Sequence, residues 1–233
     1  MSKISRKKLK EPDEFLTISE QAVEWCQNNS RIVIFVVAAA VVLIGAVVGL
    51  NTYLDHRADQ AATAMDRAFD HYASVIEGGA QGKVKPDGAI KSLARVVAQY
   101  GATPAGLQAR LALGSLLLEK GEYQKARPIF DKLSQEPDLP LELQPLIWGG
   151  LGAALEGAKK YDEAAEAYAA AERASGDALA VRFRLDQARV LQASGDLKKA
   201  ESLYRRVLAD GPDDRSEVRI ARASLVDMGL DPR

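Results

Sequence analysis

The sequence predicts an all-α protein in which a single membrane-spanning helix near the N-terminus precedes a solenoid of helix hairpins. Three observations carry that prediction. Residues Ile32 to Leu50, IVIFVVAAAVVLIGAVVGL, contain no charged or strongly polar side chain. Downstream of them, apolar residues recur at spacings of 3 and 4, the period of a helix with one buried face. The second half of the chain then repeats itself, with residues 107–138, 145–178 and 181–214 aligning on one another. Charge is balanced, 31 Lys and Arg against 32 Asp and Glu, so the basic excess expected of a nucleic-acid-binding protein is missing.

Residues 1–31 read as a head in two parts. MSKISRKKLKE is a basic arm, drawn to anionic headgroups by about 1 kcal/mol per charge near the surface. From Pro12 a helix opens with acid in its first turn, where the helix dipole favours it. Phe15, Ile18, Ala22 and Trp25 or Cys26 place one apolar stripe along it. Such a helix lies in the membrane interface, with Trp25 at headgroup level, or docks a cytoplasmic partner; both readings stay open. Asn28-Asn29-Ser30 is expected to break it. Cys26, the one cysteine, reads as a small apolar helix residue, with a reactive thiol or lipidation site as the alternative.

The span comes next, residues 32–50. Nineteen residues of helix rise about 28 Å, close to the roughly 30 Å of a hydrocarbon core. Thirteen are Val, Ile, Leu or Phe, an insertion gain on the order of 4 to 8 kcal/mol. A cleaved signal peptide is the lesser reading, because the head is long and Gly49-Leu50-Asn51-Thr52 is a poor cleavage site. Orientation follows the distribution of Lys and Arg. Lys3, Arg6, Lys7, Lys8, Lys10 and Arg31 precede the span, whereas only Arg57 and Arg67 occur in the twenty residues after it. The expected topology is a single-pass protein of a bacterial inner membrane, N-terminus cytoplasmic and C-terminal body periplasmic. Gly45 and Gly49 form a G-x-x-x-G spacing that lets another membrane helix approach closely.

Residues 51–104 read as a stalk helix and a degenerate first repeat. Leu54, Ala58, Ala61, Met65, Ala68, Tyr72 and Val75 form one apolar seam, which packs on the first repeat or, less well given its small residues, on a second copy. Gly78-Gly79 and Gly82 end the helix. Ala89, Leu93 and Val96 then lie on one face of a helix ending at Gln99-Tyr100-Gly101.

In residues 105–214 the three repeats place Gly121, Lys159 and Gly195 at equivalent turns. Small residues of the first helix fall at Gly114, Gly152 and Ala188, preceded by Leu113, Leu151 and Gln187. Trp148 supplies an aromatic in the middle unit only. After the turn come Tyr123, Tyr161 and Leu197, then Ala126, Ala164 and Ala200, then Phe130, Tyr168 and Tyr204; Pro212 and Pro137 close units. These positions resemble the tetratricopeptide repeat. Small residues let two helix backbones approach, and the aromatic fills the space beside the next unit. The fold class is thus all-α, a single N-terminal transmembrane helix followed by a tetratricopeptide-type α-solenoid. Residues 215–233 close it, Arg215 to Met228 forming a capping helix with Ile220, Ala221, Ser224 and Leu225 toward the array.

No catalytic constellation is apparent, so no enzyme and no cofactor are expected. His56 and His71 lack companion ligands, residues 78–82 lack the Lys-Ser/Thr of a phosphate loop, and Asp162-Glu163 and Asp213-Asp214 read as turn residues and helix starts. The resemblance implies a protein- or peptide-binding groove lined by Gln108, Leu111, Ser115, Leu118, Gly149, Ala153, Arg182, Leu185 and Arg189. Where related chaperone-tail receptors clamp a carboxylate with Lys and Asn, this chain has Leu111 and Ser115. The layout as a whole is similar to the YfgM-like family, ancillary subunits of the SecYEG translocon, which implies contacts with the translocon and periplasmic chaperones. A scaffold for another envelope assembly machine (cytochrome maturation, cell division or polysaccharide export) and a homo-oligomer built through the stalk are the alternatives.

Overall fold

A computed structural model describes residues 23–79, 86–137, 139–212 and 214–231. They form helices joined by turns, with no strand among the described residues. The basic arm, Pro12 and the stripe residues Phe15, Ile18 and Ala22 lie outside them, as do Gly82 and Asp213. The chain divides into two compact units, residues 1–57 and 58–233.

In the first unit, residues 23–28 are helical and helix α1 follows as Ser30–Gly79. The expected break at Asn28-Asn29-Ser30 falls at Asn29, a one-residue turn between the two helical segments. Only Asn29 leaves the helical assignment, its amide donates to the Trp25 carbonyl at 2.9 Å, and its own carbonyl accepts from Val33 at 3.1 Å. The Asn29 side-chain amide donates to the same Trp25 carbonyl at 2.9 Å, a local side-chain-to-backbone bond at the junction of the two segments. Trp25, Cys26 and the apolar residues of the span other than the half-buried Val33 are exposed.

In the second unit, the remainder of α1 carries a buried seam at Ala61, Met65 and Ala68, whereas Leu54, in the first unit, is exposed. Helices α2 (Asp87–Tyr100), α3 (Pro104–Glu119), α4 (Tyr123–Ser134), α5 (Gln144–Gly157), α6 (Tyr161–Ala174), α7 (Asp177–Ser194), α8 (Leu197–Asp210) and α9 (Ser216–Asp227) follow. Each from α2 onward packs on the next, and first helices also touch one another, α3 on α5 and α7 on α9. Thr103 caps α3, its hydroxyl accepting from the Gly106 amide at 3.1 Å ahead of Pro104 at the first helical position.

One turn geometry punctuates the array. Gly121, Lys159, Gly195 and Gly229 all have positive φ, 76°, 59°, 93° and 75°. The residue after each donates its amide five residues back, Glu122 to Leu117, Lys160 to Leu155, Asp196 to Leu191 and Leu230 to Leu225. This is the Schellman closure of a helix. The first interval exceeds the second because the link from α4 to α5 holds an extra 3-10 turn, Leu141–Leu143.

The fourth such turn, at Gly229, closes α9 with the geometry that closes α3, α5 and α7. Seven residues before each turn the three hairpins carry Gly114, Gly152 and Ala188; α9 carries Arg222 there. The inward face of α9 is Val218, Ala221 and Leu225, all buried. Ile220 is exposed, which corrects its expected inward placement: it lies one residue, about 100° of helix rotation, from Ala221.

The core follows from the small residues. A side-chain carbon on Gly114 would sit 2.7 Å from the Phe130 ring, and one on Gly152 2.7 Å from the Tyr168 ring. Phe130 also fills the space over Gly150 of the next hairpin, the wedge between units that the repeat requires. Where the repeat has its aromatic fourth position, Trp148 occupies the middle unit, but Arg110 and Arg184 occupy the outer two. Each arginine pairs with a carboxylate at or just past the far end of its own hairpin's second helix: Arg110 with Glu136, two residues beyond α4, and Arg184 with Asp210, the last residue of α8. Arg184 also holds Glu172 at 2.7 Å and is only 7 % exposed. An intra-hairpin ion clamp thus stands in for the aromatic twice.

Candidate protein-binding face

Four positions of each first helix, spaced by 3, 4 and 3 residues, fall on one stripe. In α3 they are Gln108, Leu111, Ser115 and Leu118; in α5, Leu146, Gly149, Ala153 and Glu156; in α7, Arg182, Leu185, Arg189 and Gln192. The outermost position is exposed at Leu146 and Arg182 and open at Gln108. Leu146 is absent from the groove that the repeat resemblance implies, although it stands one repeat after Gln108 and one before Arg182, in register with the turns. It is 57 % exposed, a large apolar side chain with no cover.

The inner positions differ between hairpins. Leu111, Ser115, Leu118 and Ala153 are half-buried. Gly149 is closed off: a side-chain carbon there would lie 2.5 Å from the Phe183 ring of the next hairpin. Leu185 is only 7 % exposed and belongs to the core, which corrects its expected place on an open groove. Helix α7 packs on α6, α8 and α9, so Val181, Leu185 and Ala188 are covered. Arg189 is engaged, pairing with Glu156 of the preceding hairpin and with Asp186 at 3.1 Å.

That pair belongs to a polar network between hairpins. The Tyr168 hydroxyl donates to Glu156 Oε2 at 2.9 Å, while Arg189 Nη2 donates to the same oxygen at 3.0 Å. The equivalent bond in the third hairpin runs from the Tyr204 hydroxyl to Gln192 Oε1 at 2.7 Å. In the first, Phe130 and Leu118 occupy the same two positions, so an apolar aromatic accompanies an apolar partner and a phenol accompanies an acceptor. Burial pushes the Tyr168 hydroxyl well above its ordinary value, the Glu156 and Asp186 charges adding to it. Burial also raises the Asp186 carboxyl, against the hydrogen bond and charge of Arg189. The stripe therefore runs from an apolar end on α3 to an ion-paired end on α7.

A tetratricopeptide repeat-like domain model matches residues 24–231. The chain belongs to that family. No curated protein matches the chain. Family membership carries a protein–protein interaction role, since such repeats bind proteins or peptides along their stacked hairpins. The matched region takes in the apolar helix as well as every hairpin. Gly45 and Gly49 lie on that helix with no atom within 4 Å of the position a side chain would take. The helix is long and apolar enough to cross a membrane. No group of three or more His, Cys, Asp or Glu suited to a metal ion occurs among the described residues.

Proposed function

We propose that this protein is a non-enzymatic, membrane-anchored adaptor that holds segments of exported proteins along the first-helix stripe, working as an ancillary subunit of the Sec translocon in contact with periplasmic chaperones. The observation that carries the reading is the stripe itself, which presents Leu146 and Arg182 in the open and Leu111 and Leu118 half-open on one continuous array. Extended, partly apolar segments suit it better than a carboxylate terminus, because Leu111 and Ser115 offer no cation. The anchor supports a membrane station. Six basic residues before the apolar run against two soon after it favour a cytoplasmic head and an exported body.

Photo-reactive side chains placed at Leu146 and, on the outer face of α8, at Lys198 test this in membranes. Translocon components and emerging exported chains should crosslink at Leu146 and not at Lys198. Products from another assembly machine, or the same products at both positions, would refute the reading. Within the span, Gly45→Leu should lower recovery of membrane partners while leaving the array folded; unchanged co-purification would remove the G-x-x-x-G contact from the account.

A further inference from the structure

Residues 101–103, 135–143, 175–176 and 211–215 link each second helix to the next first helix, and the ion clamps gather these links on one edge of the array. Arg110 Nη2 donates to the Gly101 carbonyl at 3.1 Å and pairs with Glu136; Arg184 holds Glu172 and Asp210. Helix α1 enters the second unit at this same edge. Gln60 and Thr63 line a cleft with Gln99 and Tyr100, whereas Tyr72 feels the Glu119 charge at the opposite end of α3. Leu141, thrown outward by the extra 3-10 turn, is 73 % exposed, more than any other large apolar side chain outside the span among the described residues. Leu179, in the first turn of α7, is 44 % exposed, and Ala102, Pro137 and Pro140 of the links are exposed as well. Charges of both signs border them, Glu142 and Asp214 with Lys132, Arg173, Arg182 and Arg215, and the sequence adds Asp138, Asp177 and Asp213. The opposite edge, at the tight turns, sets Leu197 among the exposed Lys120, Lys159, Lys160, Lys198 and Lys199.

An apolar side chain held in water is unfavourable, and a lipid interface removes that cost when the side chain dips into it. Ala58, where the second unit begins, follows Leu50 by eight residues, at most about 28 Å of chain in any conformation. A bilayer that takes up the apolar run therefore stays within reach of this edge. Such a short tether raises the effective concentration to about the millimolar range, so shallow insertion of two leucines suffices for frequent contact. The mixture of charges gives no lasting attraction to an anionic surface and suits a zwitterionic one. We propose that the link edge of the array docks on a zwitterionic phospholipid interface through Leu141 and Leu179. The proposal rests on the membrane-anchored reading above, and it gives the array a second attachment to the bilayer with residues that the first-helix stripe does not use.

Fluorescence quenching on the full chain in phosphatidylcholine liposomes with brominated acyl chains tests this. In a Cys26→Ser background, single cysteines carry an environment-sensitive fluorophore at Val42→Cys in the span, Ala102→Cys on the link edge or Lys198→Cys on the opposite edge. The labels at 42 and 102 should be quenched and the label at 198 should not. Leu141→Asp with Leu179→Asp should lower the docked-to-free ratio read at 102 by about three- to eightfold from the lost leucines alone, with helical circular dichroism and the quenching at 42 unchanged. Leu197→Asp, on the opposite edge, should leave the signal at 102 as in the parent. Quenching at 42 with none at 102, or the same quenching at 102 in the double aspartate variant, would overturn the proposal while leaving the anchor in place. No quenching at 42 would remove the anchor itself and this proposal with it.

Discussion

Lys159 is the one non-glycine residue with positive φ among the described residues, and replacing it with glycine should stabilise the array. Its φ of 59° places a β-carbon against its own backbone at a turn where Gly121 and Gly195 stand in the other hairpins. The left-handed conformation costs an L-residue about 1–2 kcal/mol. Glycine returns part of that, about 0.5–1 kcal/mol, through the greater freedom of the unfolded chain. The net gain for Lys159→Gly is about 0.5–1 kcal/mol, or about 1–4 °C in Tm for a body of this size. Lys159 is exposed and makes no ion pair among the described residues, so nothing else is lost. The reverse substitutions sharpen the comparison. A side-chain carbon on Gly195 would meet no atom within 4 Å, and one on Gly121 only the Tyr123 ring edge at 4.0 Å. Gly195→Lys and Gly121→Lys should therefore destabilise by a similar amount through backbone conformation alone. Denaturant titrations followed by helical circular dichroism on the four proteins supply the values. A Lys159→Gly variant less stable than the parent would refute the equivalence of the three turns and the repeat register built on it.

Arg184→Met should cost about 2–3 kcal/mol, below the usual 3–5 for breaking a buried pair because Asp210 is half exposed and Arg206 remains 3.7 Å from Glu172. Adding Glu172→Leu should recover most of the loss in the same denaturant midpoint. Asp186→Asn should stabilise the fold at pH 7, since burial makes the ionised carboxylate unfavourable there. Its native pKa is raised, so the parent gains on the variant as pH falls through that raised value, and the difference closes near the ordinary 3.8; thermal melts across pH 3 to 8 measure it.

Much of this architecture is legible in the sequence because the repeat is written in residue sizes. Glycine or alanine at 114, 152 and 188, with aromatics at 130, 168 and 204, specify the close helix crossing and its wedge, and the structure places each pair in contact or core. The ion clamps are not legible in that way. Arg110 and Arg184 sit where the repeat has an aromatic, and their partners Glu136 and Asp210 lie beyond the hairpin turn, brought to them only by the fold of the hairpin. Only the recurrence of the same separation in two units gives a signal. The face is legible in part. Leu146 and Glu156 follow from the same spacing that finds Gln108 and Leu118. The closure of Gly149 by Phe183 and the covering of Leu185 depend instead on how one hairpin leans on the next. At Asn29 the composition favours a break, and the structure has a one-residue turn there between two helical segments.

The proposed function requires an anchored array whose hairpins meet exported proteins outside the cytoplasm. Fusing an export-dependent phosphatase, and in parallel a cytosol-dependent fluorescent reporter, after Arg233 measures this most directly. The phosphatase should be active and the fluorescent fusion dark. Fluorescence with an inactive phosphatase would place the body in the cytoplasm and contradict the account.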